Sequence, residues 1–269
     1  MTNRASKVTT KTFLQFKARG EKLALLTAYD WLTARLLDDC GIDGILVGDS
    51  ANMVFYGQPT TLSISMDQLI YHTRAVAQAA KRALVIGDMP FMSYQVDAQE
   101  ALRNAGRFLK EGGAEAVKVE GGKEIVPTVE RLVGTGIPVM GHIGLVPQSV
   151  HRFGGYGIRG KSKEEADYLW ESAILLQDAG CFSLVLEKIP ADLAQRISKE
   201  LRIPTIGIGA GPHCDGQILV VQDMLGLFEE FKPKFVRQYA KLAPQVKEAF
   251  HRYIDDVKGG NFPSPEESY

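Results

Sequence analysis

The sequence lacks the features that mark membrane, secreted and nucleic-acid-binding proteins. No uninterrupted apolar run approaches the roughly 20 residues of a membrane-spanning helix, and Met1 to Arg19 is too polar for a signal peptide. The 31 basic and 32 acidic residues give a net charge of −1, whereas neutralising nucleic-acid phosphates needs a clear excess of lysine and arginine. We therefore expect a cytoplasmic protein with no nucleic-acid partner and no membrane partner.

Cysteine is also scarce. The three cysteines, Cys40, Cys181 and Cys214, form no CxxC pair, which argues against a disulfide framework and against a zinc site. Cys40 and Cys181 adjoin glycines that end predicted helices, and we expect both thiols to be buried. Hydrophobic residues make up 45% of the chain and charged residues 23%, as in an ordinary globular protein.

A repeated unit runs through the chain: a short apolar strand, a polar or glycine-rich loop and a segment of helical period. Eight strands are predicted, at 23–28, 44–47, 84–87, 116–119, 138–141, 183–186, 204–207 and 218–221. Helices are predicted at 31–40, 66–81, 97–111, 123–135, 163–179 and 191–201, and a long one at about 234–257. Near-continuously apolar strands that alternate with helices indicate a parallel sheet buried on both faces.

Eight such units in 269 residues fit a closed (β/α)8 TIM barrel, whose usual size is roughly 250 residues. The alternative, a doubly wound open sheet, needs fewer strands and a glycine fingerprint after the first one, where this chain has Leu26-Thr27-Ala28-Tyr29-Asp30. We expect a single catalytic domain over residues 1–269, in which a short helix at Thr9–Arg19 covers the bottom of the barrel and Gly259–Tyr269 is a flexible tail.

A polar side chain follows each of the first six predicted strands. These residues are, in order, Asp30, Asp49, Asp88, Glu120, His142 and Glu187. Because the carboxyl ends of parallel barrel strands meet at one rim, where active sites of this fold are built, we expect these side chains to converge.

An acidic residue after a strand also often caps the next helix, and we interpret Asp30, directly before a predicted helix, as such a cap. Asp49 precedes a long loop over Ser50 to Thr61, and Asp88 precedes Met89-Pro90, so neither is expected to begin a helix at once. Both are therefore candidate functional residues.

Several carboxylates on one rim repel one another unless a cation lies between them, and oxygen-only ligands suit Mg²⁺. His142 is either a further metal ligand or a hydrogen-bonding group. Lys118 lies two residues before Glu120 and points to the same side of its strand, so it contacts an anionic substrate or forms a structural ion pair with Glu120. Glu187 either abstracts a proton or caps the helix after Pro190.

Two glycine-rich loops each have two interpretations. The segment Gly207–Pro212 is either a backbone cradle for phosphate, as many barrels have after the seventh strand, or a tight turn. The segment Gly154–Gly157, flanked by Arg152 and Arg159, is either a mobile flap over the site or a flexible surface loop.

Six motifs, taken together and in order, resemble those of the ketopantoate hydroxymethyltransferase family, over about Thr9 to Val257. They are Thr27-Ala28-Tyr29-Asp30, Val47-Gly48-Asp49-Ser50, Asp88-Met89-Pro90-Phe91, Val117-Lys118-Val119-Glu120-Gly121-Gly122, Gly141-His142-Ile143-Gly144-Leu145 with Pro147-Gln148-Ser149, and Gly207-Ile208-Gly209-Ala210-Gly211 with Cys214-Asp215-Gly216-Gln217.

The resemblance implies a (β/α)8 barrel that assembles as a homodecamer, binds Mg²⁺ and transfers a one-carbon unit from 5,10-methylenetetrahydrofolate to 3-methyl-2-oxobutanoate through an enolate, in pantothenate biosynthesis. The substrate-binding residues that it implies are Asp49, Ser50, Asp88, Lys118 and His142, the metal-binding residues are Asp49, Asp88 and Glu120, and the catalytic base is Glu187. The chain departs from the usual family sequence at Ala51-Asn52, Val146 and Lys188. These changes leave the metal and base positions intact and bear on the folate pocket and the loop geometry.

Two other functions are compatible with this pattern. A Mg²⁺-dependent lyase or mutase of the phosphoenolpyruvate mutase and isocitrate lyase kind shares the fold and a 2-oxo-acid enolate, but usually carries a catalytic cysteine in a lid motif, where this chain has His142-Ile143-Gly144-Leu145. A non-catalytic binding protein on a degenerate barrel would have lost the metal carboxylates or the base, which this chain retains.

Overall fold

Eight parallel strands close into a barrel in the structure, a computed structural model that describes residues 6–229 and 232–269. Each strand pairs with the next one along the chain, and the eighth pairs with the first. The strands are β1 (Leu23–Thr27), β2 (Gly44–Val47), β3 (Leu84–Asp88), β4 (Ala116–Glu120), β5 (Val139–Gly144), β6 (Ser183–Glu187), β7 (Thr205–Ile208) and β8 (Gly216–Leu219). The predicted (β/α)8 barrel is therefore confirmed, and the open-sheet alternative is wrong.

Helices lie in the connections between the strands, before the first strand and after the last one. They are α1 (Thr10–Arg19), α2 (Trp31–Asp39), α3 (Ala51–Val54), α4 (Met66–Ala79), α5 (Ala98–Lys110), α6 (Val126–Val133), α7 (Val150–Phe153), α8 (Lys163–Asp178), α9 (Ala191–Glu200), α10 (Val221–Met224) and α11 (Leu242–Gly259), with 3-10 turns at Lys123–Ile125, Pro147–Ser149 and Pro265–Glu267. Across the described ranges, we find no helix with the length and apolarity to cross a membrane.

The chain divides into two compact units, Met1–Val220 and Val221–Tyr269. The first unit contains all eight strands and the second contains α10, α11 and the last 3-10 turn. The expectation of one domain over residues 1–269 stays a prediction. The flexibility of the 259–269 tail also stays a prediction, although Ser264 and Glu267 form a reciprocal capping box within it.

The amino-terminal helix α1 packs under the barrel, as expected. Thr9 caps it by accepting a hydrogen bond from the Thr12 amide. Phe13 is fully buried in one apolar cluster with barrel residues such as Leu25 and Met140. A side chain added at Gly44, the first residue of β2, would lie 3.2 Å from the Phe13 ring, so α1 contacts the amino ends of the strands and leaves their carboxyl ends free.

Some predicted boundaries were wrong for identifiable reasons. Strand β5 continues three residues beyond Gly141, since His142 and Gly144 pair with β6 despite interrupting the apolar pattern. Helix α11 begins at Leu242 rather than about Lys234. Pro244 lacks the amide hydrogen that a helix interior requires and is tolerated only in a first turn.

Two further expectations concern Asp30 and two of the cysteines. Asp30 is its N-cap and accepts a hydrogen bond from the Thr33 amide at 2.8 Å, which confirms the interpretation as a cap. Cys181 is buried, as expected, but Cys40 is exposed. The prediction for Cys40 was wrong because this residue is the C-cap of α2, and a helix end that adjoins a glycine need not face the core.

Candidate active site

Three carboxylates meet at the carboxyl-end rim of the barrel. Asp88 and Glu120 are the last residues of β3 and β4, and Asp49 lies two residues after the end of β2. One oxygen from each carboxyl group lies within 4.8 Å of the others, and all three side chains are buried. The amide of Asp49 donates a hydrogen bond of 3.0 Å to Asp88 Oδ2, which fixes the loop after β2 against β3. The structure therefore brings together the three predicted metal-binding residues.

The barrel register explains why these side chains face one another. Lys118 pairs with Asp88 between β3 and β4, and Glu120 pairs with His142 between β4 and β5. Ile86, Ala116 and Met140, which lie two positions before Asp88, Lys118 and His142, belong to the apolar cluster inside the barrel. Because side chains alternate between faces, Asp88, Lys118 and His142 continue inward-facing columns whose lower members are apolar, and Glu120 follows Lys118 in the same column.

Lys118 is the cation closest to these carboxylates. Its Nζ lies 2.8 Å from Asp88 Oδ1 and 3.0 Å from Glu120 Oε1, and its side chain is only 4% exposed. The predicted orientation toward the Glu120 side is confirmed. Asp88, which lies on the neighbouring strand, is a second partner that spacing within one strand does not indicate.

The site carries more negative than positive charge. Burial, together with repulsion by Asp88 and Glu120, raises the pKa of Asp49 well above its ordinary value. Burial also raises the pKa of Asp88, an effect that the Lys118 ammonium partly offsets. For Glu120, burial is outweighed by attraction to Lys118 and His142, which lowers its pKa to about 2. Asp49 is therefore a carboxylate whose ionised form the protein alone does not compensate.

His142 bridges this cluster to Glu187. Its Nδ1 lies 3.3 Å from Glu120 Oε1, and its Nε2 lies 3.3 Å from Glu187 Oε2. Burial and Lys118 oppose protonation, but the hydrogen bond and charge of Glu120, assisted by Glu187, raise the pKa of His142 to about 9. Lys118 Nζ also lies 3.3 Å from His142 Nδ1, and which of the two groups donates depends on the protonation of the ring.

Glu187 ends β6 on the other side of His142 and does not cap the next helix. Pro190 is the N-cap of α9, and no side chain provides a capping hydrogen bond there. The Glu187 side chain is 14% exposed, against 2% for Glu120, so Glu187 is the more accessible carboxylate. Gly144 adjoins it with φ 97°, and a Cβ atom there would lie 2.3 Å from the Glu187 carbonyl oxygen.

Ser50 follows Asp49 and is held by an aromatic residue that lies two residues beyond β1. The Tyr29 hydroxyl lies 2.7 Å from Ser50 Oγ. A side chain at Gly48 would approach Ser50 Oγ to 2.8 Å, so it would displace the serine hydroxyl. The loop predicted after Asp49 contains the short helix α3, whose N-cap Ser50 makes no side-chain capping bond. The prediction that no helix begins there was therefore wrong, but the serine hydroxyl is not used as a cap.

Gln148 and Tyr94 are site residues to which sequence reasoning assigned no role. Gln148 contacts Asp49, Glu120 and Tyr94, and the amide of Glu120 donates a hydrogen bond of 2.9 Å to the Tyr94 hydroxyl. Gln148 stands in one of the six motifs, but it lies in a 3-10 turn where neither helical nor strand periodicity indicates its direction.

The Gly154–Gly157 segment reaches across the rim. The Tyr156 hydroxyl lies 3.5 Å from the Pro59 carbonyl oxygen in the loop after β2, and Lys188 Nζ donates to the Tyr156 carbonyl oxygen. Burial, with the charges of Asp49 and Glu187, raises the pKa of Tyr156. This placement agrees with a flap, and its mobility stays a prediction.

The loop after β7 is a tight turn. Gly209 and Gly211 have φ values of 65° and 81°, and a Cβ atom at Gly211 would lie 2.5 Å from the Ala191 Cβ. Gln217 Nε2 donates a 3.0 Å hydrogen bond to the Gly211 carbonyl. These contacts favour close packing over the phosphate-cradle interpretation of Gly207–Pro212.

The donor set fits a divalent metal ion. All three clustered side chains offer carboxylate oxygens, the ligands that hard cations such as Mg²⁺ prefer. Counted as charged, Asp49, Asp88, Glu120 and Glu187 carry four negative charges, against two positive charges on Lys118 and His142. A divalent cation would neutralise the difference. The fold and site thus define a (β/α)8-barrel enzyme with a buried acidic centre at the carboxyl ends of its strands.

Comparison with solved structures supports the fold. A phosphonopyruvate hydrolase crystallised with oxalate and Mg²⁺ superposes with a TM-score of 0.62 at 13% sequence identity, covering 97% of this chain and 93% of that one. A 2,3-dimethylmalate lyase of the PEP mutase/isocitrate lyase superfamily gives a TM-score of 0.60 at 15% identity, covering 98% and 93%. At these identities the similarity shows the architecture alone.

Sequence comparison identifies the family. The family model described as ketopantoate hydroxymethyltransferase matches residues 7–265. Proteins named 3-methyl-2-oxobutanoate hydroxymethyltransferase are 56% identical in Prosthecochloris aestuarii, covering 100% of this chain and 98% of the relative, and 53% identical in Pelobacter propionicus, covering all of both chains. The Clostridium botulinum relative of the same name is 53% identical over 98% of this chain and 96% of its own. The chain belongs to the ketopantoate hydroxymethyltransferase family and is a transferase.

Proposed function

We propose that this enzyme forms ketopantoate (2-dehydropantoate) and tetrahydrofolate from 3-methyl-2-oxobutanoate, 5,10-methylenetetrahydrofolate and water, as a step of pantothenate and coenzyme A biosynthesis. The observation that carries the proposal is the buried cluster of Asp49, Asp88 and Glu120, with Glu187 on the far side of His142. The names of relatives at 53–56% identity support the same reaction.

Asp49 and Asp88 would hold the divalent cation, which we take to be Mg²⁺, with Glu120 in the same site. When bound, the cation supplies a Lewis acid that stabilises negative charge developing on the ketone oxygen of the substrate. The chain contributes a dry site of fixed dipoles, because the three carboxylates are at most 5% exposed and electrostatic effects are stronger where water is excluded.

Lys118 and Ser50 would bind the anionic keto acid, together with Asp49, Asp88 and His142. Lys118 cannot move toward bulk solvent, since Asp88 and Glu120 hold its ammonium group at 2.8 and 3.0 Å. Its positive charge therefore stays in place and can attract the substrate carboxylate. Tyr29 holds the Ser50 hydroxyl in a similar way.

Glu187 would be the base that removes the proton from C3 of the keto acid. The resulting enolate carbon attacks the methylene carbon of the folate, and the C–N bond to the folate is then broken by hydrolysis to leave the hydroxymethyl group. Glu187 is suited to this step because its carboxylate is partly accessible and His142 Nε2 lies 3.3 Å from it. A positioned base that is partly desolvated transfers protons more effectively.

Proton exchange tests the role of Glu187. In deuterated solvent with Mg²⁺, NMR of the C3 proton of 3-methyl-2-oxobutanoate should show exchange catalysed by the unsubstituted enzyme. In Glu187→Gln we expect that exchange to fall by at least about 100-fold, within the usual contribution of general base catalysis, while keto acid binding persists. The surface variant Glu171→Gln, whose residue pairs only with Lys123 on the described surface, is the matched control. Exchange at the unsubstituted rate in Glu187→Gln would remove Glu187 from this role.

The requirement for a one-carbon donor separates this proposal from a lyase or mutase. Ketopantoate should form only when methylenetetrahydrofolate is present and should stop when EDTA is added. Cleavage of a 2-oxo or 2-hydroxy acid in the absence of folate would instead favour the lyase. The homodecamer and the cytoplasmic location are further proposals from the family resemblance, and light scattering on the purified chain tests the first.

A further inference from the structure

Gln148 lies where the loop after β5 meets the acidic cluster. It occupies the middle of the 3-10 turn Pro147–Ser149 and is 5% exposed. Its backbone amide donates a hydrogen bond of 3.0 Å to Glu120 Oε2. Its side-chain Nε2 donates a hydrogen bond of 3.0 Å to Asp49 Oδ2. One residue therefore binds two of the three clustered carboxylates, from a segment that provides none of them.

The orientation of the Gln148 amide is determined by its partners. Nε2 also donates to the Met89 carbonyl oxygen at 2.9 Å, and a carbonyl oxygen can only accept. Oε1 accepts from the Tyr94 hydroxyl at 2.7 Å and from Gln95 Nε2 at 3.0 Å. A flipped amide would place Oε1 against the Met89 carbonyl oxygen, and would lose the two bonds that Nε2 donates to Met89 and Asp49, which is costly for buried polar groups.

A neutral donor has a different effect on a carboxylate from a cation. Lys118 partly cancels the charges of Asp88 and Glu120, which favours folding but also opposes a second cation. Gln148 holds Asp49 in position without contributing a positive charge. The arrangement is that of a polar residue that orients a ligand for a metal ion.

We propose that Gln148 is a positioning residue that holds the Asp49 and Glu120 carboxylates at the spacing that a divalent cation requires, and so sets the metal affinity of the enzyme. The inference rests on the proposed function in one respect, namely that the acidic cluster binds a cation. It goes further by assigning the geometry of that cluster to a residue that is not one of the three clustered carboxylates.

Binding of Mn²⁺ alone to the purified full chain tests the proposal, by calorimetry or by the electron paramagnetic resonance signal of free Mn²⁺. Gln148→Met keeps the side-chain size and the backbone bond to Glu120 but removes the amide. Loss of a group that orients a metal ligand weakens binding by about 10- to 100-fold, and we expect a loss in this range.

The matched control is a second buried glutamine far along the chain. Gln177 in α8 accepts hydrogen bonds from the Arg202 and Ile203 amides at 2.5 and 3.4 Å and does not touch the acidic cluster. Gln177→Met therefore loses a buried amide as well, and we expect lower stability with unchanged Mn²⁺ affinity. This comparison separates positioning of the carboxylates from a general loss of stability.

A second variant keeps the test decisive if Gln148→Met does not fold. Tyr94→Phe removes the hydroxyl that donates to the Gln148 amide and also accepts from the Glu120 backbone amide, and we expect weaker Mn²⁺ binding in the same direction. Unchanged Mn²⁺ affinity in the folded variants, while the unsubstituted chain binds Mn²⁺, would overturn the role of Gln148 alone. Failure of the unsubstituted chain to bind Mn²⁺ would overturn the metal site of the proposed function, and this inference with it.

Discussion

Replacing Lys118 by methionine removes the buried cation from the acidic centre while keeping most of its aliphatic volume. Lys118 Nζ contacts Asp88 at 2.8 Å and Glu120 at 3.0 Å, with side-chain exposures of 4% or less on all three residues. Breaking a buried ion pair by removing one partner costs about 3–5 kcal/mol, because the remaining charge is buried without compensation. We expect a loss of this size in EDTA.

A loss of this size is measurable by thermal or urea unfolding. For a chain of this length, each kcal/mol lowers the unfolding midpoint by about 2–4 °C, so the midpoint should fall by roughly 6–20 °C. The control is Lys123→Met, which removes an ion pair of 2.8 Å with Glu171 in which both side chains are about half exposed. Exposed pairs contribute about 0–1 kcal/mol, and the midpoint of this control should hardly move.

Added metal makes the prediction more specific. A cation that binds only the folded state stabilises it by about 2.7 kcal/mol at 100 times its dissociation constant. Because Lys118→Met has lost a competing positive charge, the variant should gain more stability from Mn²⁺ than the unsubstituted enzyme does. Added Mn²⁺ should not restore turnover, since the cation that attracts the substrate is missing. A stability deficit that is the same with and without Mn²⁺, or one no larger than that of Lys123→Met, would refute the electrostatic reasoning.

Two further predictions concern the scaffold around the site. Gly144→Ala should lower the free energy of unfolding, measured in urea, by roughly 2–5 kcal/mol. The positive φ costs a side chain about 1–2 kcal/mol, and the overpacked contact costs about 1–3 kcal/mol, since the new Cβ would lie 2.3 Å from the Glu187 carbonyl oxygen. The control Gly154→Ala, at φ 67° with open space around it, should show only the cost of the positive φ. Asp38→Ala should cost about 1–3 kcal/mol, because Asp38 accepts hydrogen bonds from the Lys81, Arg82 and Ala83 amides. Burial alone would raise the pKa of Asp38, but the three amide hydrogen bonds outweigh this effect and lower it. The contribution of Asp38 to stability is therefore present above the unfolded pKa of about 3.9 and is lost as the pH falls through the folded pKa. The unfolding free energies of Asp38→Ala and the unsubstituted enzyme should therefore converge in acid. An equal difference between them at pH 7 and pH 2 would contradict this account.

The positions of the strand-end carboxylates could be predicted from the sequence because fold topology determines them. Once the apolar segments are assigned to parallel barrel strands, a polar residue at the end of each must lie on one rim. Asp88, Glu120 and Glu187 satisfy this condition as the last residues of their strands. Alternation along β4 was likewise sufficient to place Lys118 on the Glu120 side.

Contacts between strands and loops could not be predicted, because they depend on register and on turns without periodicity. The pairing of Lys118 with Asp88 depends on the β3–β4 register, which no feature of either strand specifies. Gln148 contacts Asp49, which lies 99 positions earlier in the chain, from a 3-10 turn. A polar side chain in such a turn is normally exposed, and only the completed barrel shows that this one faces inward.

The charges of the site explain how a fold can tolerate four carboxylates at its rim and still leave one of them available. Lys118 and His142 partly neutralise Asp88, Glu120 and Glu187 through contacts of 2.8 to 3.3 Å. Among the described contacts, the Asp49 side chain accepts one hydrogen bond, from the neutral amide of Gln148 at 3.0 Å, and forms no ion pair. Burial and the acidic neighbours disfavour the ionised form of Asp49, and a bound cation would compensate its charge. The loop after β2 also presents Ser50 on this side of the cluster, so a cation bound there would lie near the serine hydroxyl.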